Sequence, residues 1–144
     1  MAVELKIAAL GALLLLVHIF AAVHLKTKQY GREWNVGARD EALPALNPVA
    51  GRLARAQANF QETFPIAIVA LLGVVIAGQT SSSTALGGWI WLGARTIYLP
   101  LYAMGVPVIR TVVFVISLVG LGMPSVRRRR RFFFLAKMAR ASSE

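Results

Sequence analysis

The chain has 144 residues, of which 57% are hydrophobic and only 15% are charged. A soluble domain of this length cannot bury so much apolar surface, so the composition argues against a soluble globular protein and predicts a single membrane domain. The sequence contains no cysteine, which excludes disulfides, thiolate metal sites and a cysteine nucleophile. Any thiol chemistry would therefore use a thiol brought by a substrate.

The formal net charge of +10 is unevenly distributed along the chain. Of the 16 Lys and Arg residues, 7 lie in the last 21 residues, where five consecutive arginines precede three phenylalanines. This pattern predicts a basic tail over residues 124–144 that lies against anionic lipid, and it does not favour nucleic acid as a partner.

Four apolar stretches lie at about residues 5–25, 60–78, 84–104 and 107–123. Each has close to the roughly 20 residues that a helix needs to cross the hydrocarbon core. Backbone groups in lipid must be paired within the chain, so helices are expected. The connections "QTSSS" and "GV" are short, which favours antiparallel neighbours. We therefore predict an all-α integral membrane domain over residues 1–123, an up-down-up-down four-helix bundle.

A polar loop, residues 26–51, separates the first two stretches, and loops of this length tend to be either functional or disordered. Basic residues in and just after this loop place it in the cytoplasm by the positive-inside rule. Four spans then put both termini on the opposite side, although the tail is equally basic. We give the loop precedence because it flanks two spans and early segments usually dominate orientation.

The stretch "RLARAQANFQETFP", residues 52–65, leads directly into the second apolar run. We expect its helix to begin near residues 47–48, with Asn47 as the cap and Pro48 in the first turn. At 100° per residue, four polar positions fall within an arc of about 80°: Arg52, Arg55, Asn59 and Glu62. The face is either solvated, with pairs of Arg55 to Glu62 or to Asn59, or the wall of a binding site.

A second polar face is predicted in the third span. Arg95, Tyr98 and Tyr102 lie within about 60° of one another on a helix. Arg95 is either paired with Glu62 or part of a site, and the tyrosines are either interfacial anchors or share that site. Arg110, early in the fourth span, either extends its side chain to the loop side or faces the interior. His18 and His24 are six residues apart, about 120° around a helix, so we predict packing and no metal site.

Taken together and in order, these motifs resemble the MAPEG family, the membrane-associated proteins in eicosanoid and glutathione metabolism. The first match, in residues 52–65, is to the family's second-helix signature. The second, "ARTIYLPLYAMGVPVIR", is similar to the segment joining its third and fourth helices. The similarity covers about residues 5–123 and is to bacterial-type members that resemble microsomal glutathione transferases.

The resemblance implies homotrimers of four-helix bundles that bind glutathione between subunits near the cytoplasmic face of a bacterial inner membrane. Arg110 would correspond to the arginine that stabilises the glutathione thiolate, and is the expected catalytic residue. The expected glutathione-binding residues are Arg52, Arg55, Gln57, Asn59 and Glu62 of one chain, with Arg95, Tyr98 and Tyr102 from the neighbouring chain.

Three functions are compatible with these residues. The favoured one is a membrane glutathione transferase or peroxidase, in which an arginine lowers the thiol pKa for attack on a lipophilic electrophile or hydroperoxide. The alternative is a noncatalytic scaffold of the same fold that binds lipid or a partner. A small transporter that uses Arg95 and Glu62 as intramembrane charges is less favoured, because the proline interruptions are weak evidence for broken helices.

Overall fold

The computed structural model describes residues 1–122, which form helices and connecting turns with no β-strand in this range. In chain order the helices are α1 (Val3–Tyr30), α2 (Arg32–Val36), α3 (Pro48–Ile76), α4 (Ser82–Met104) and α5 (Pro107–Gly122). The predicted all-α class is confirmed. The predicted basic tail, residues 124–144, lies outside the described residues.

Two helices, α1 and α3, are long and apolar enough to cross a membrane by length and composition. They correspond to the first two predicted spans, while α5 is a shorter apolar helix and α4 carries a serine- and threonine-containing first turn and Arg95. The spans predicted at residues 84–104 and 107–123 therefore remain predictions.

The start of α3 follows directly from its sequence. The Asn47 side chain accepts a hydrogen bond of 2.8 Å from the backbone N–H of Ala50, and Pro48 occupies the first turn, where its missing N–H costs nothing. The predicted cap is confirmed. The polar residues 52–62 and the apolar residues that follow thus belong to one continuous helix, with Pro65 inside it.

The loop between α1 and α3 is shorter and more ordered than the predicted range of residues 26–51. Helix α1 continues to Tyr30, and α2 occupies part of the remainder. The Gln29 amide donates to the carbonyl oxygen of Ala45 at 2.9 Å and accepts from the backbone N–H of Asn47 at 2.8 Å. These two bonds tie the start of α3 to the end of α1, so the two helices run in opposite directions.

Helix α4 carries residues typical of a helix start and of a helix end at its two termini. A reciprocal capping box joins Ser81 and Thr84 at its start. It ends at Gly105, whose φ of +78° is readily adopted only without a side chain. Pro107 starts α5 two residues later, so the α4–α5 turn consists of Gly105 and Val106.

Helices α1, α3 and α4 pack against one another around two groups of buried side chains. The end that carries residues 31–47 and the α4–α5 turn is called the loop end, and the opposite one the far end. The apolar core lies toward the far end and consists of Ile7, Ala8, Phe60, Ala67, Leu71, Trp91 and Leu92. The aromatic core lies toward the loop end and contains Ala56, Tyr98 and Tyr102, with Leu99, Val113 and Phe114 packed against it.

Candidate functional site

Arg95 of α4 is fully buried and directed at α3. Its Nη1 donates to Asn59 Oδ1 at 2.9 Å, and its Nη2 donates to Thr63 Oγ1 at 2.6 Å. The Thr63 hydroxyl in turn donates to the backbone carbonyl of Asn59 at 2.8 Å. The alternative pair with Glu62 is not formed, because that carboxylate is exposed on another part of the α3 surface.

Three aromatic rings surround the same guanidinium. Its carbon lies 5.3 Å from the ring centroid of Phe60, 5.5 Å from that of Tyr98 and 5.1 Å from that of Phe114. The faces of aromatic rings attract cations, so this enclosure compensates for part of the hydration that Arg95 loses on burial. Among residues 1–122, the buried charge is thus held by neutral groups and by no carboxylate.

A column of side chains extends from Arg95 toward the loop end. Tyr98 and Tyr102 are 5% and 9% exposed, and their ring centroids lie 5.3 Å apart in an edge-to-face arrangement. The guanidinium carbon of Arg110 follows, 4.5 Å from the ring centroid of Tyr102. The ladder, defined as Arg95, Tyr98, Tyr102 and Arg110, therefore joins two arginines through two tyrosines. Their burial leaves these tyrosine rings little surface with which to anchor at a membrane boundary.

The polar face of α3 is divided by the fold. Asn59 points inward to Arg95, and Arg52 is half-buried beside the α4–α5 turn. Arg55 and Glu62 are exposed and have no ion-pair partner within residues 1–122. Gln57 donates a hydrogen bond to Gln61 at 3.3 Å on the surface.

The structure therefore brings together five of the predicted site residues, which are Asn59 and the four of the ladder. Arg52 lies beside the turn that leads to Arg110, whereas Arg55, Gln57 and Glu62 face outward. Neither intrahelical pair considered for Arg55 is present, because Asn59 Oδ1 is bonded to Arg95 and Glu62 has no charged partner among the described residues.

Sequence analysis missed three residues that surround Arg95: Thr63, Phe60 and Phe114. Thr63 follows Asn59 by four residues, a spacing that places both on one helix face, so its hydroxyl was a usable signal. Phe60 and Phe114 carried no such signal, since aromatic residues are common in any membrane helix. His18 packs edge-on against Phe60 at 4.7 Å, in agreement with its predicted packing role.

The sequence model of the MAPEG family matches residues 5–127, which is most of the chain. The protein belongs to the MAPEG family. No curated protein matches the chain significantly.

MAPEG membership confirms the resemblance and makes the protein a member of a membrane-associated family. That family includes glutathione transferases and proteins with other functions, so membership alone does not specify an activity. The matched range contains the whole ladder and the polar face of α3. The activity of this MAPEG protein must therefore be argued from these side chains.

Proposed function

We propose that this MAPEG protein is a membrane-bound glutathione transferase or peroxidase. In this proposal it binds glutathione, stabilises the thiolate and presents it to a lipophilic electrophile or hydroperoxide that arrives from the bilayer. Arg110 is the proposed catalytic residue. A noncatalytic scaffold that binds lipid or a partner through the same surfaces is the competing function.

The observation that carries the proposal is the excess of guanidinium groups at the loop end. Arg110 contacts the ring of Tyr102 and has no carboxylate or other hydrogen-bond acceptor within residues 1–122. Its N–H groups thus remain available to an anion. A guanidinium keeps its proton at any physiological pH, and within hydrogen-bonding reach of a thiol it favours the thiolate. The chain contains no cysteine, so the thiol would be supplied by the ligand.

Glu62 and Arg55 support a site that is completed by other chains. Glu62 is 14 residues from either end of α3, roughly 21 Å at the helical rise, and yet it is exposed. The apolar stretch of α3 begins at about residue 60, so this carboxylate lies where the helix enters the membrane, and a charge there is costly unless it faces a partner or water. A homotrimer of four-helix bundles, with the ligand bound between subunits, would cover both side chains. Glutathione carries an ammonium group and two carboxylates, which suit Glu62 and Arg55 respectively.

The membrane arrangement is part of the same proposal. The two long apolar helices, together with α4 and α5, would give a multi-pass protein of a bacterial inner membrane. The basic residues near the loop end favour a cytoplasmic position for that end and for the ladder. Glutathione would then enter from the cytoplasm, and the lipophilic co-substrate would enter from the bilayer.

The test is an ultraviolet titration of the purified protein with glutathione that follows thiolate absorbance. We expect a saturable signal in the wild type and its loss in Arg110→Ser, because the thiol loses the guanidinium that favours its ionised form. Arg32→Ser is the matched control, since it removes an arginine that is exposed in α2. That variant should retain the signal.

Turnover separates the enzyme from the scaffold. Thiol-dependent conversion of a lipophilic electrophile by the wild type, lost in Arg110→Ser, would support catalysis. Absence of both the thiolate signal and turnover in the wild type would contradict the proposal and favour the scaffold. A defined oligomer other than a trimer in mild detergent would contradict the proposed assembly.

A further inference from the structure

Arg52 was predicted to bind the ligand, but its surroundings indicate another role. The side chain begins in the second turn of α3 and crosses to the α4–α5 turn. A methyl group at Gly105 would lie 2.6 Å from Arg52 Nη1, 3.2 Å from its Cζ and 3.5 Å from its Cδ. The guanidinium therefore lies directly against the backbone of Gly105, and a side chain at that position would have to displace it.

The position of this guanidinium is also favourable electrostatically. Gly105 ends α4, and its N–H donates to the carbonyl of Tyr102 at 3.1 Å. The last carbonyls of a helix carry a partial negative charge, which a cation stabilises. Arg52 Nε is buried and makes no hydrogen bond within residues 1–122, so the contact of Arg52 with the turn consists of packing and of its charge at the helix end.

The α4–α5 turn determines the spacing within the ladder. Tyr102 lies in the last turn of α4, and Arg110 lies in the first turn of α5, with Gly105 and Val106 between the two helices. The 4.5 Å approach of Arg110 to the ring of Tyr102 therefore depends on the angle at which α5 leaves the turn. A side chain that holds the turn also holds Arg110.

We infer that Arg52 is a positioning residue that clamps the α4–α5 turn through Gly105 and thereby places Arg110 over Tyr102. The clamp itself follows from the packing, whereas its effect on chemistry rests on the proposed glutathione function. Arg52 then has no direct contact with glutathione. Its loss should reduce thiolate formation and leave the binding of a ligand without a free thiol almost unchanged.

The clamp is tested first without any ligand. The chain has no cysteine, so cysteines introduced at Met104 and Ile109, which are 65% and 52% exposed, can be spin-labelled cleanly. In the full-length protein in detergent, electron paramagnetic resonance should report a narrow distance distribution across the turn. Arg52→Met should broaden it, because the apolar stem remains but the cation at the helix end is lost.

Two further variants make the test specific. Gly105→Ala should broaden the distribution in the same way, since the added methyl group displaces Arg52. Gly78→Ala is the control for left-handed strain elsewhere in the chain, because its φ is +62° and no atom of residues 1–122 would lie within 4 Å of the added methyl group. Arg52→Lys should give a distance distribution of intermediate width, because lysine keeps the positive charge at the helix end. An unchanged distribution in Arg52→Met would overturn the clamp, because Gly105→Ala also strains the turn at φ +78°.

The second arm uses glutathione and S-methylglutathione. In Arg52→Met and Gly105→Ala, we expect a raised apparent thiol pKa and a roughly 10- to 100-fold lower kcat/KM, as for other small misplacements of a catalytic group. Affinity for S-methylglutathione should stay within about twofold, a difference of roughly 0.4 kcal/mol. A large loss of that affinity in Arg52→Met, with an unchanged thiolate signal in Gly105→Ala, would instead make Arg52 a ligand-binding residue.

The two arms separate the clamp from the proposed function. If the wild type gives no thiolate signal but the spin labels respond to Arg52→Met, the glutathione proposal fails and the clamp stands. If the thiolate signal is present and neither the spin labels nor the thiol pKa respond to Arg52→Met, the clamp fails and the glutathione proposal stands.

Discussion

In the far half of the protein, helices approach one another at glycine, whereas in the loop half they are separated by aromatic rings and guanidinium groups. A methyl group at Gly88 would lie 2.8 Å from Ile7 Cδ1, and one at Gly120 would lie 2.7 Å from the backbone oxygen of Gly87. The far half therefore depends on close fit between surfaces.

The loop half depends on polar and aromatic contacts instead. Among the described residues, Arg95 is held by one amide, one hydroxyl and three rings, and Arg110 is held by one ring. Such contacts keep charges in place without neutralising them. The comparison suggests that the far half supplies most of the stability and that the loop half retains charge for a ligand.

The largest effect on stability should come from Trp91→Ala in the far half. Trp91 is fully buried and stacks on Phe64, so its removal leaves a cavity and should lower the free energy of unfolding by about 3–5 kcal/mol. Trp89→Ala is the control, since that indole is 47% exposed. Equal losses in the two variants, measured by thermal unfolding in detergent, would contradict the assigned core.

An intermediate effect is expected for Asn59→Ala in the loop half. Arg95 Nη1 would lose its acceptor at 2.9 Å, which should cost about 1.5–3 kcal/mol, typical of a hydrogen bond to a charged group. The double variant Asn59→Ala, Arg95→Met should lose less free energy of unfolding than the two single variants added together, because it leaves no unsatisfied cation. Gln57→Ala, which removes only a surface contact, serves as the control. If the losses in free energy of unfolding from Asn59→Ala and Arg95→Met were strictly additive, the hydrogen bond between Arg95 and Asn59 would be contradicted.

The smallest effect is expected from adding one methyl group to α3 or α4. Gly88→Ala should destabilise the protein by about 1 kcal/mol through overpacking against Ile7. The methyl group of Gly73→Ala would have no atom of residues 1–122 within 4 Å, so this change should instead stabilise its helix by about 0.5–1 kcal/mol. Addition of Ile7→Val to Gly88→Ala removes the clashing atom and should recover part of the loss. Equal changes in the free energy of unfolding for Gly88→Ala and Gly73→Ala would contradict the close approach of Gly88 to Ile7.

Several features were predictable because they depend on nearby residues. The Asn47 cap and Pro48 follow from the chemistry of the first helical turn. The grouping of Arg95, Tyr98 and Tyr102 follows from helical periodicity, and the structure places all three on one buried face. The motifs that identified the MAPEG family are equally local, which explains why they were recognised.

The partner of Arg95 was not predictable in the same way. Asn59, Glu62 and Thr63 lie within about one turn of α3, and each offers an oxygen to a guanidinium. A carboxylate is the stronger partner for a cation, so charge alone favoured Glu62. The rotation of α3 against α4 instead turns Asn59 and Thr63 inward and leaves Glu62 on the surface.

By itself, the sequence determined the all-α class, the family, the boundaries of α3 and the faces on which charged residues gather. Each of these is set by composition or by contacts within a turn or two of helix. Only the tertiary structure decided that Arg95 binds Asn59 and Thr63, that Arg110 lies on Tyr102 and that Arg52 lies against Gly105. Such contacts join residues far apart in the chain, and they depend on how helices rotate and cross when their side chains interlock.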